Sequence, residues 1–94
     1  MVPTRKQRAE AMLKEICNRL NLATTPEEAA QKGQDHYITL DNFDGYKISA
    51  VEVATNSETN AVIYNYNKRI PLEQLNIYLR GYLDALQQVN FKTI

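Results

Sequence analysis

The sequence holds one cysteine, one histidine and no tryptophan. A lone thiol cannot close an intrachain disulfide, so the fold must hold without staples, as expected of a chain kept in a reducing compartment such as the cytoplasm. Cys17 and His36 also fall short of the three or more converging ligands of a structural zinc site, and no metal is expected. Glycine is scarce: Gly33, Gly45 and Gly81 are too dispersed to cradle a phosphate, and no cofactor is implied. No apolar run approaches the ~20 residues of a membrane-spanning helix, and none has the length or place of a signal peptide. Net charge is missing as well. Eleven basic residues balance eleven acidic ones, whereas nucleic-acid binders carry a basic excess that displaces counterions from phosphates.

What is present is a globular composition, 44% hydrophobic and 23% charged over 94 residues. A chain of this length buries roughly 60–68% of its unfolded surface, enough for one core; residues 1–94 are read as a single domain. Charge is unevenly placed. Residues 1–23 carry five basic and two acidic groups, residues 24–60 two and seven, and residues 61–94 four and two. Basic ends and an acidic middle favour packing of the terminal segments near the middle, or head-to-tail self-association.

From Thr4 to about Leu22, Ala9, Met12, Leu13, Ile16, Cys17 and Leu20 draw one stripe at helical spacing. Thr25-Pro26-Glu27-Glu28 is a helix-start signature, and Gly33 stops that helix after two turns. Two strands follow, Tyr37–Asp41 and Tyr46–Ala54, joined by Asn42-Phe43-Asp44-Gly45, whose chemistry suits a type I turn with a glycine bulge. That turn sets Leu40 against Ile48 and Ile38 against Ala50 on one face, and Asp41 against Lys47, Thr39 against Ser49 and Tyr37 against Val51 on the other. Thr55–Asn60 reads as a loop and Ala61–Tyr66 as the third strand. Pro71 opens the last helix, where Leu72, Leu75, Tyr78, Leu79, Tyr82, Leu83, Leu86 and Val89 share an arc that should be buried. The fold class is α+β: a two-layer domain with a three-stranded antiparallel meander and two long helices, in the order α–(short α)–β–β–β–α.

Chemistry-bearing patterns are few. Cys17 lies on the apolar stripe, away from any pairing with His36. Aligning Gly45 with the invariant glycine of a calcium loop puts Leu40 and Val51 where carboxylates belong, so that match fails. No catalytic residue is assigned, and the chain is read as a non-enzyme. Two surfaces stand out instead. On the last helix, Ile77 and Gly81 lie outside the apolar arc, and a mid-helix glycine costs ~1 kcal/mol relative to alanine. The sheet carries apolar residues on both faces, with Tyr37, Val51 and Val53 on the second, joined by Tyr64 or Ile63 and by Tyr66. A protein partner or a second copy, as in a homodimer, is the first expectation for these surfaces. Nucleic acid is the alternative, bound by Arg5, Lys6 and Arg8 together with Lys68 and Arg69.

The α–β–β–β–α order resembles double-stranded-RNA-binding domains in topology. The stretch Asn67-Lys68-Arg69-Ile70-Pro71-Leu72, however, lacks the lysine cluster that opens their last helix, and their function is not carried over. Residues 61–87 combine a tyrosine-bearing strand, the basic link Lys68-Arg69 and the helical pattern Leu75-x-x-Tyr78-Leu79-x-Gly81-x-x-x-Ala85-Leu86. That stretch looks like small uncharacterised proteins of bacteriophages and prophages. The resemblance implies an accessory factor that acts by binding a host protein.

Overall fold

The computed structural model describes residues 2–42, 45–61 and 69–92. The first helix, α1, spans Arg5–Arg19 and starts at a capping box. The Thr4 hydroxyl accepts from the Gln7 N–H at 3.1 Å, and the Gln7 side chain accepts from the Thr4 N–H at 2.8 Å. Two backbone donors at the helix start are thereby satisfied. The apolar stripe is buried at Ala9, Leu13, Ile16 and Cys17. Leu20, the C-cap residue, is exposed instead.

The second helix, α2, covers Pro26–Lys32. It is capped by the Thr25 hydroxyl, which accepts from the Glu28 N–H at 3.1 Å, and it closes on Gly33 in the left-handed conformation at φ 69°. The next residue, Gln34, fastens this helix to the end of α1. Its side-chain nitrogen donates to the Asn21 carbonyl at 2.7 Å, and its side-chain oxygen accepts from the Ala23 N–H at 2.9 Å.

Strand β1 (His36–Asp41) pairs antiparallel with β2 (Lys47–Glu52) in the register read from the sequence, Asp41 opposite Lys47 through Tyr37 opposite Val51. Gly45 sits at φ 107°, and a Cβ there would meet the Arg69 Cβ at 2.9 Å. Conformation and close approach both demand glycine at this position. Phe43 and Asp44 lie outside the described residues.

The third strand differs from expectation. β3 is Glu58–Asn60, inside the stretch read as a loop, and it pairs antiparallel with β2 through Ser49–Asn60, Ala50–Thr59 and Val51–Glu58. In Glu-Thr-Asn only the threonine favours a strand, and pairing with the open side of β2 imposes it on the other two. Ala61 follows the strand and is buried, and residues 62–66 of the expected strand lie outside the described residues. Farther along the same side of β2, Tyr46 exchanges two backbone hydrogen bonds of 2.9 Å with Ile70. The sheet order is β1-β2-β3, a meander.

Helix α3 runs Leu72–Lys92. With α1 it covers the sheet face that carries Ile38 and Ile48, and Leu75 and Leu79 complete the core with Ala61. Full burial of Ile16, Ile48, Leu75 and Leu79 contributes ~1.5–3 kcal/mol each. The rest of the α3 arc is less covered than expected. Leu72, Tyr78, Tyr82, Leu83 and Leu86 pack against the core while remaining half-buried, and the side chain of Val89 is outside the description. The structure is therefore an α+β fold of three helices and one three-stranded antiparallel sheet.

Candidate interaction groove

Residues three and four apart on a helix share a face, so Arg5, Arg8 and Met12 line one side of α1. Glu73, Ile77 and Arg80 line one side of α3 by the same spacing. Between these two faces lies a groove of about 490 Å³, open to solvent, with Ala11 and Asn76 completing its walls. Ile77 is 69% exposed there, although it belongs to a regular helix. Arg5, Arg8 and Arg80 are exposed, and among the described residues none of the three makes an ion pair. With Glu73 the lining keeps a positive excess. The first turn of α1 has no acidic residue, so the partial positive charge of the helix start adds to the arginine field. Asn76 donates to the Arg5 carbonyl at 3.3 Å, while its side-chain oxygen is buried and finds no donor.

The other residues singled out by the sequence are distributed differently. Val51 is buried within its own chain and is withdrawn as a contact residue. Tyr37 is half-buried. The middle of the second sheet face is polar, which corrects the expectation of an apolar surface. Ser49, fully buried, donates its hydroxyl to Glu58 Oε1 at 2.6 Å, and Lys47 Nζ lies 4.0 Å from the same oxygen. Beside them Arg69 donates to Asp41 at 2.8 Å and holds that carboxyl well below the usual carboxylate range. Tyr64 and Tyr66, with Ile63, lie outside the described residues. Gly81 is exposed just beyond the groove, with nothing within 4 Å of where a Cβ would stand.

The basic residues of the nucleic-acid alternative do not form one patch. Arg5 and Arg8 face the groove, whereas Lys6 lines a separate depression with Glu10, Lys14 and the β1 edge. Arg69 is engaged by Asp41, and Lys68 lies outside the described residues.

A second exposed apolar side chain, Val53, sits in the turn after β2, 42% exposed. Its N–H donates to the Asp35 carbonyl at 2.8 Å, which fixes Val53 beside Asp35. Glu52 and His36 flank it, their side chains 3.9 Å apart. The sequence marks Ile77 by its departure from the apolar arc of the last helix, and Val53 as a member of the second sheet face with Tyr37 and Val51. The grouping of Arg5 and Arg8 with Arg80 was missed because it depends on α1 and α3 lying side by side.

Other chemistry finds little footing. Burial pushes the Cys17 thiol up to about 11, with Glu28 adding to the rise and Lys32 opposing it. A thiol in that state is protonated at neutral pH and a poor nucleophile. Among the described residues no three His, Cys, Asp or Glu side chains are grouped to hold a metal ion, and no helix is long and apolar enough to cross a membrane. No protein-family model, curated protein or solved structure matches this chain.

Proposed function

We propose that this chain is a non-catalytic protein-interaction module whose contact surface is the groove between α1 and α3. The observation that carries the reading is Ile77, a large apolar side chain 69% exposed and ringed by arginines. Such a residue buries ~1.5–3 kcal/mol worth of apolar surface when covered. Arginines at the rim select an acidic partner and raise the encounter rate. Accessory action on another protein, as the phage-like segment implies, is one way to use such a groove; self-association is another.

The test is the mass of the native particle by light scattering, measured on the parent protein and on Ile77→Asp. A particle heavier than one chain that falls to single-chain mass in Ile77→Asp supports the reading. Equal masses in the two proteins overturn self-association through the groove and leave action on another protein as its only use. A low-salt gel shift on duplex and single-stranded nucleic acid runs alongside, and a shift abolished by Arg5→Glu/Arg8→Glu in a single-chain particle moves the function to the nucleic-acid class.

A further inference from the structure

Of the four large apolar side chains exposed among the described residues, Ile77 and Val53 stand on surfaces of opposite charge. Ile77 lies among Arg5, Arg8 and Arg80; Val53 lies among Asp35 and Glu52. These surfaces are also held apart. The groove uses the first two turns of α1, a helix of 15 residues and so about 22 Å long. The acidic surface is fastened to the far end of that helix. Gln34 binds Asn21 and Ala23 just past its last turn, and the Ile38 N–H donates to the Ala23 carbonyl at 2.8 Å. Val53 is presented by an ordered turn. Besides its own bond to Asp35, the Asn56 N–H donates to the Glu52 carbonyl at 2.8 Å and the Glu52 N–H to the Ser57 carbonyl at 2.9 Å.

We infer that the groove is occupied by the Val53 turn of a second copy of this chain, in a head-to-tail contact. This rests on the groove being the interaction surface. Charge decides the geometry. A two-fold dimer joining groove to groove would face a lining of three arginines and one glutamate, net positive, with a copy of itself, and one joining turn to turn would face Asp35 and Glu52, beside His36, with themselves. Like charges set opposite one another are repulsive in either arrangement. Groove against turn brings Val53 onto Ile77, with Asp35 and Glu52 toward the arginines. In a pair so joined, one copy keeps a free turn and the other a free groove, so the assembly extends unless its rotation closes a ring. One turn seated in one groove buries less than the ~1,200–2,000 Å² of a stable interface, so association is weak and concentration-dependent.

The experiment compares native mass against protein concentration for the parent, Arg8→Glu/Arg80→Glu, Asp35→Lys/Glu52→Lys, and the variant carrying all four changes. All four positions are solvent-accessible, and circular dichroism verifies the fold of each protein. The parent mass should rise continuously with concentration at about 0.1 M salt. It should fall at 1 M salt, where the screening length drops from about 10 Å to about 3 Å. Each double variant should keep single-chain mass, and the quadruple variant should regain the assembly because its charges are exchanged across the contact. An assembly lost in Arg8→Glu/Arg80→Glu but intact in Asp35→Lys/Glu52→Lys overturns the head-to-tail contact while leaving the groove as the interaction surface. An assembly indifferent to both pairs and to Ile77→Asp overturns the groove as well. A quadruple variant that stays single-chain while folded also overturns the inference.

Discussion

Replacing Gly81 by alanine separates two accounts of a glycine in the middle of a helix. Gly81 is the tenth of 21 residues in α3 and needs no positive φ. A Cβ built there meets no atom within 4 Å apart from the helix itself and the two neighbours. Packing therefore contributes neither gain nor clash, and only the backbone terms remain. Alanine loses less conformational freedom on folding and is favoured over glycine by ~0.8–1 kcal/mol in a helix interior. In a domain of this size that corresponds to a rise in Tm of roughly 3–8 °C. In urea it corresponds to a midpoint shift on the order of 0.3–1 M. Thermal and urea unfolding of dilute Gly81→Ala, where single chains dominate, should show that gain with an unchanged m-value. A dilute protein that gains nothing, or loses stability, refutes the reasoning, because some neighbour must then crowd a position that is open. Repeating the melt at high concentration asks the second question. A gain that reverses there marks Gly81 as a point of close approach between molecules.

Three further outcomes follow from the core and the sheet. Leu79→Ala removes a fully buried side chain from the α1–α3 contact and should cost about 2–5 kcal/mol in chemical denaturation, a large part of the stability of a small domain; a loss under 1 kcal/mol would mean that residue is not in a packed core. Cys17 should resist a thiol reagent at pH 8 in the native state and react at once in urea, since its thiol is buried and pushed up to about 11; above pH 9 the unfolded thiol ionises first, so the Cys17 contribution to stability should fade between about pH 9 and 11. Asp41 has its folded pKa depressed by Arg69, so its contribution is present above the ordinary carboxylate range and is lost as pH falls below it. Asp41→Asn should therefore destabilise the protein at pH 7 and lessen the difference between pH 7 and pH 3. Equal pH dependence in the two proteins would show that the ion pair contributes nothing.

The hairpin register was legible because two independent signals agreed. Alternation placed Ile38 and Ile48 on one face, and Asp41 and Lys47 paired as opposite charges beside a turn that needs Gly45. The helix limits at Thr4, Thr25 and Gly33 rest on local hydrogen bonds and were equally open to reading, apart from the early stop before Leu20. β3 was hidden because Glu58, Thr59 and Asn60 take their conformation from pairing with the preceding strand and not from their own side chains. The second sheet face was misjudged for the opposite reason. Val51 looked like a contact surface, yet it is buried, and the polar pair Ser49 and Glu58 occupies the middle of that face through cross-strand contact. Of the groove, Ile77 announced itself by leaving the apolar arc. Its arginine surroundings come from two helices separated by more than fifty positions, and no local pattern contains that adjacency.

The paired bonds between Tyr46 and Ile70 bear on how the central strand is shielded. They place one flank of the central strand in the keeping of two separate pieces of chain, Glu58–Asn60 at one end and Ile70 at the other. A foreign strand could reach that flank of β2 only by displacing pairs already made on it. The outer edges of the sheet are β1 and β3, and pairing of backbones between molecules would have to begin there.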